Sequence, residues 1–98
     1  MTPAQPTIQI DDDRVVVTEW RFEPGAETGW HTHEMDYVIV PLVSGTLQIQ
    51  TASGTTDVEL RNGASYTRPA GVKHNVTNNN AFEFAFIEIE LKDHPPHS

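Results

Sequence analysis

Apolar and polar residues alternate along this chain in short runs, and Gly, Pro, Asn and Ser punctuate the runs. Alternation with period two is the signature of β-strands, whose successive side chains point to opposite faces. Ile8-Gln9-Ile10 reads as a short edge strand after a loose arm at residues 1–7, and Asp11-Asp12-Asp13 then turns the chain. Residues 14–22 form the next strand, with Val16, Trp20 and Phe22 on one face and Val15, Val17, Glu19 and Arg21 on the other. After the Pro24-Gly25 turn, residues 28–33 set Trp30 and Thr32 opposite two histidines. Residues 36–43 lack polar alternation, so both faces need cover, and the outer cover implies a partner sheet from a second copy. Pro41 has no N–H for a ladder and belongs at an edge or a bulge.

Residues 46–51 and 56–60 alternate cleanly around the loop Ala52-Ser53-Gly54-Thr55, with Leu47, Ile49, Val58 and Leu60 inward. A short strand at 64–68 follows the Asn62-Gly63 turn and ends at Pro69-Ala70-Gly71. Val72, His74 and Val76 then share one face, opposite Lys73, Asn75 and Thr77. In the last strand, residues 82–91, even positions carry Phe82, Phe84 and Phe86 and then Glu88 and Glu90, while odd positions carry Ala85, Ile87, Ile89 and Leu91. That order predicts an inward face that switches midway, through a bulge or a strand shared between two sheets. Eight or nine short strands with no helical periodicity predict an all-β sandwich or barrel.

Ninety-eight residues make one domain, with residues 93–98 as a second tail holding His94 and His97 around Pro95-Pro96. So small a domain leaves much surface exposed, which favours a homodimer. Trp30 either packs on the second sheet or the first strand, or sits in a subunit interface, where Trp is enriched. A net charge of −8 without a basic patch argues against nucleic acid and anionic membrane as partners. The absence of cysteine excludes disulfides and thiolate ligands. The first residues lack a basic segment followed by an apolar run, and no stretch is long and apolar enough to span a bilayer, so a soluble cytoplasmic protein is expected.

The chemistry concentrates in two stretches, 25–33 and 63–78, which hold three of the five histidines. His31-x-His33 on a strand sends both rings to one face. His74, from a distant strand, supplies a third. A single His on an apolar face reads as a hydrogen-bonded core residue, whereas three in this arrangement read as a metal site. Gly25, Gly63 and Gly71 serve turns that need positive φ, and Asn78 closes a turn through its side-chain amide.

These residues resemble the two signatures of the cupin superfamily. The first runs Gly, five residues, His-x-His, three or four residues, Glu, six residues, Gly; Gly25, His31 and His33 match it. The second runs Gly, five residues, Pro-x-Gly, two residues, His, three residues, Asn; Gly63, Pro69, Gly71, His74 and Asn78 match it. The resemblance implies a cupin double-stranded β-helix, a small jelly-roll barrel with the motif histidines at its mouth. At the level of texture, Trp30-His-x-His, Asp36-Tyr37-Val38 and Pro69-Ala-Gly-Val-x-His look like a group of stand-alone bacterial cupins, one branch of which is associated with β-alanine degradation.

One position departs from the pattern. The family glutamate falls at Tyr37 or Val38, and neither offers a carboxylate. Asp36 is the nearest acid and Glu34 the next, but the simpler reading is a three-His site. Three neutral imidazoles suit one divalent transition metal: Zn, Fe, Ni, Cu or Mn. The resulting expectation is a small metal-binding cupin that acts on or binds a small organic acid or thiol. Tyr37 and Asp36 are candidate catalytic groups and Arg68 is a candidate carboxylate clamp. Two alternatives are a non-catalytic ligand or metal sensor or accessory module, and a metal-free isomerase with a buried His–Asp pair.

Overall fold

The computed structural model describes residues 2–92. Nine strands follow one another: β1 (Gln5–Asp11), β2 (Val15–Phe22), β3 (His31–Thr32), β4 (Tyr37–Pro41), β5 (Gly45–Thr51), β6 (Gly54–Leu60), β7 (Tyr66–Arg68), β8 (Lys73–Asn78) and β9 (Phe84–Leu91). They form two antiparallel sheets, in the orders β1-β2-β9-β4-β7 and β3-β8-β5-β6. Strands far apart in sequence become neighbours as the chain passes between the sheets. The result is the expected all-β jelly-roll barrel, a double-stranded β-helix. No helix among the described residues is long and apolar enough to cross a membrane.

The register sorts the interior of the five-stranded sheet into rows. Phe22 faces Phe84, and Trp20 faces Phe86, which faces Pro41. The next row runs Thr18, Glu88, Ile39, Tyr66, and the last runs Val16, Glu90, Tyr37, Arg68. One end of the barrel is thus closed by packed apolar groups: Phe22, Phe84 and Leu47 are fully buried, and the Phe22 and Phe86 rings lie 5.5 Å apart. Burying each such side chain contributes about 1.5–3 kcal/mol. Asn78 closes the same end. Its amide donates to the carbonyls of Phe22 (3.1 Å), Glu23 (3.3 Å) and Phe82 (2.9 Å), and its Oδ1 accepts from the Asn80 backbone at 2.9 Å, as the expected turn-closing role requires. The opposite end carries the polar rows.

Four sequence expectations change. The first residues are less loose than expected: Gln5–Thr7 belong to β1, Ala4 is buried, and its N–H bonds the Glu27 carbonyl at 2.8 Å. The strand expected at 28–33 shrinks to His31–Thr32, because Gly29 takes φ +85° and turns the chain immediately before it. Pro41 lies within β4 rather than at an edge, but β7 pairs only as far as Ile39, so no ladder partner misses its N–H. Most consequential, β9 does not switch faces. Its pairing with β2 runs without a shift from Phe84 to Leu91, so Glu88 and Glu90 stay inside and Ile87, Ile89 and Leu91 stay outside. Packing of Phe84 and Phe86 at the closed end fixes that register, and a one-residue slip would expose both rings. Trp30 is 53% exposed in the single chain. His94 and His97 lie outside the described residues.

Candidate metal centre

The two histidine stretches are bonded to each other along their backbones. His31 sits directly opposite His74 in the β3–β8 pair. The His33 N–H donates to the Val72 carbonyl at 2.9 Å, and the Gly71 N–H donates back to the His33 carbonyl at 2.8 Å. Gly71 makes that turn at φ +96°, a conformation with little cost only for glycine. Alternation then turns His31, His33 and His74 inward together.

Their Nε2 atoms form a triangle with sides of 3.1, 3.0 and 3.2 Å. His31 Nδ1 lies 2.9 Å from the Gly29 carbonyl, which only an N–H can satisfy, so His31 Nε2 is left as a bare acceptor aimed at the other two rings. The Tyr37 ring stacks on His33 with centroids 3.8 Å apart and holds its plane. His33 and His74 are buried. Desolvation, and then the neighbouring rings, push both imidazoles down to about 4, so both are neutral near pH 7.

This donor set fits a cation. An imidazole nitrogen is either a donor or an acceptor, so at most two sides of the triangle can be hydrogen bonds. A positive ion satisfies all three lone pairs at once. Nitrogens about 2.1 Å from a shared ion and 3.0–3.2 Å apart subtend roughly 90–100° there, which is one face of an octahedron with the opposite positions open.

The candidate acids divide. Asp36 is exposed, and its carboxylate accepts the Ala70 N–H at 2.7 Å, bracing the turn rather than joining the cluster. Glu34 is also exposed. Glu88, which the sequence reading turned outward with its supposed face switch, is instead 7% exposed, with its Oε2 4.0 Å from His33 Nε2. Burial, and then the Glu90 charge, raise its carboxyl to about 7, while the Trp20 indole opposes the rise. Trp20 Nε1 is buried and near enough to Glu88 to oppose that rise, but it makes no well-formed hydrogen bond to any of the described residues. The donor atoms thus form two groups sharing His33: His31–His33–His74 and His33–Glu88–Glu90. Counting parity outward from Phe84 and Phe86 would have placed Glu88 inside.

Tyr37 is buried, and desolvation pushes its phenol up to about 12, so it stays protonated near neutral pH. Inside the barrel, a cavity of about 30 Å³ is lined by the three histidines together with Trp20, Ile39, Phe86 and Glu88, room for little more than one water. A larger groove of about 220 Å³ opens beside His74, between Tyr37, Tyr66, Val72 and Arg68. The Arg68 guanidinium lies 4.7 Å above the Tyr66 ring at its rim.

Known proteins share this fold. Residues 18–90 match the cupin domain family. The β-alanine degradation protein BauB of Pseudomonas aeruginosa is 54% identical over 89 residues, covering 91% of this chain and 94% of that protein. The crystal structure of a cupin domain protein from Bordetella pertussis superposes with a TM-score of 0.93 at 56% identity, over 94% of this chain and 96% of that one. The polyketide cyclase RemF of Streptomyces resistomycificus shares the fold at a TM-score of 0.71 and 24% identity, over 97% of this chain and 72% of its own. With the two histidine stretches in place on a nine-stranded jelly roll and a family match over most of its length, the chain belongs to the cupin family.

Proposed function

We propose that the protein holds one divalent transition metal on His31, His33 and His74 and binds or transforms a small organic acid beside it. The convergence of three Nε2 atoms within 3.2 Å carries this reading. A bound ion would polarise a ligand oxygen or activate a bound water. The internal cavity is too small for a substrate, so the ligand belongs in the groove at the mouth. There Tyr66 and Val72 offer apolar walls, and Arg68 offers the cation that would clamp a carboxylate. Tyr37 acts as a positioning residue by holding the His33 ring. The likeness to a β-alanine degradation protein directs the search to β-amino and keto acids, with thiols as a second class.

The alternative metal-free isomerase finds little support, because Asp36 is bonded to Ala70 and no His–Asp pair is formed among the described residues. A sensor or accessory role differs from an enzyme in one observable. Elemental analysis of the purified chain, followed by a turnover screen of the metal-loaded protein on these acids and thiols, separates the two. Turnover that disappears with His74→Ala supports an enzyme. Ligand-raised thermal stability without turnover supports a binding module, and the absence of metal contradicts both.

We also propose that the chain forms a homodimer through the outer face of the five-stranded sheet. Val17, Val38, Val40, Ile87 and Ile89 line that face, only partly buried in the single chain.

A further inference from the structure

The inference rests on the proposed metal site and concerns the acid that the first histidine motif lacks. Four carboxylates lie near the mouth: Glu34, Asp36, Glu88 and Glu90. Glu34 and Asp36 are exposed, and Asp36 is held by Ala70. Glu88 alone is nine-tenths buried, and its Oε2 is 4.0 Å from His33 Nε2. Two donors each about 2.1 Å from one ion can lie no more than about 4.2 Å apart, so Glu88 and His33 are within range of a shared ion. Glu88 groups with His33 and Glu90 rather than with His31 and His74, and its side chain must swing toward those rings to complete the set. Glu90, one row nearer the mouth, is only partly buried.

The setting of Glu88 makes little sense without a cation. Its row neighbours are Ile39 and Thr18, and Phe86 and Trp20 line the same cavity. A carboxylate taken out of water costs several kcal/mol unless a positive charge or good hydrogen bonds offset it. Among the described residues, no Lys or Arg side chain is paired with Glu88, and the nearest basic group is the His33 imidazole at 4.0 Å. The same strand turns Ile87 and Ile89 to the outside, so acids and aliphatics stand where simple packing would have exchanged them. Among the described residues, the one buried side-chain donor without a well-formed hydrogen bond, Trp20 Nε1, lines the cavity with Glu88 and can hold the second carboxylate oxygen.

We infer that Glu88, delivered by the last strand, supplies the acidic ligand of the metal centre in place of the missing motif glutamate. The set becomes three imidazoles and one carboxylate, with Trp20 orienting the carboxylate. A negative ligand raises affinity for harder ions, so the site takes Mn(II) or Fe(II) more readily than three imidazoles alone.

The test strips the purified full chain with a chelator and titrates it with Mn(II) and separately with Zn(II). Water-proton relaxation then counts the waters left on bound Mn(II). The wild type is expected to bind one Mn(II) per chain and to retain about two waters in six-coordination. Glu88→Gln is expected to weaken Mn(II) at least tenfold, to weaken Zn(II) distinctly less, and to add one water. Glu90→Gln is expected to do less than Glu88→Gln to Mn(II). Three waters on wild-type Mn(II) would overturn the assignment whether or not the variant folds. So would a Glu88→Gln protein that binds Mn(II) like the wild type, or that loses both metals equally. A wild type that binds neither metal overturns the three-His reading itself, and with it this inference.

Discussion

Within the cluster, what each side chain does is set by what surrounds it. His33 and His74 are buried and held neutral, with values near 4 against an ordinary 6.5. Between those values the unfolded chain binds more protons than the folded one, so the metal-free protein loses stability as pH falls from about 6.5 toward about 4. Glu88 works the other way. Its carboxyl is raised to about 7, so the stability linked to its protonation is present below its unfolded value and lost as pH rises through about 7. Two rings act against one carboxyl, and thermal melts of the chelator-treated protein should show a lower midpoint at pH 5 than at pH 7. Glu88→Gln should raise the metal-free midpoint at pH 8 and leave it nearly unchanged at pH 5, because it removes a buried charge that exists only at the higher pH. A uniform shift at both values would contradict that origin. The three histidines and Arg68 were legible as sequence motifs and positions. Glu88 was not, because aliphatic Ile87 and Ile89 compete with it for the inward face when hydropathy alone is read.

Elements show the same balance of local and distant causes. The β5–β6 hairpin and the inward faces of Leu47, Ile49, Val58 and Leu60 follow from alternation, and the pairing of Thr51 with Gly54 leaves Ala52 and Ser53 as the turn. The face of β9 follows from a distant contact, the packing of Phe22, Phe84 and Phe86 at the closed end. The length of β1 also has a distant cause, since residues 3 and 4 are tied to Glu27. Phe84→Ala should therefore cost about 3–5 kcal/mol, a large part of the roughly 5–15 kcal/mol that keeps a domain folded, and urea unfolding checks it. Gly45→Ala tests the same end more gently: a Cβ there would meet Phe84 Cε2 at 3.1 Å and the Asn80 amide at 3.2 Å, so a measurable loss is expected although φ is ordinary. A loss below a few tenths of a kcal/mol, roughly the effect of a neutral surface substitution, would show that the ring gives way freely.

For the whole molecule, polarity is arranged in reverse at the mouth end of β9, with Glu88 and Glu90 inside and Ile87 and Ile89 outside. Under the proposed function, a metal would offset the first half of that pattern and a second copy of the chain would cover the other half. Sedimentation velocity should give twice the chain mass, and Ile89→Lys, at the centre of the outer face beside Val17 and Val38, should give the single chain. A wild-type monomer at micromolar concentration would contradict the dimer. The barrel class was legible from strand count and turn spacing, whereas the aliphatic outer face could be read only from the unbroken apolar run of β4. The claim on which the rest depends is one ion gripped by three rings, and anomalous scattering from a crystal of the natively purified protein tests it most directly. The account predicts a single transition-metal peak about 2.1 Å from the Nε2 atoms of His31, His33 and His74. Well-ordered rings with no peak between them, in protein grown and purified with Mn, Fe and Zn present, would contradict it.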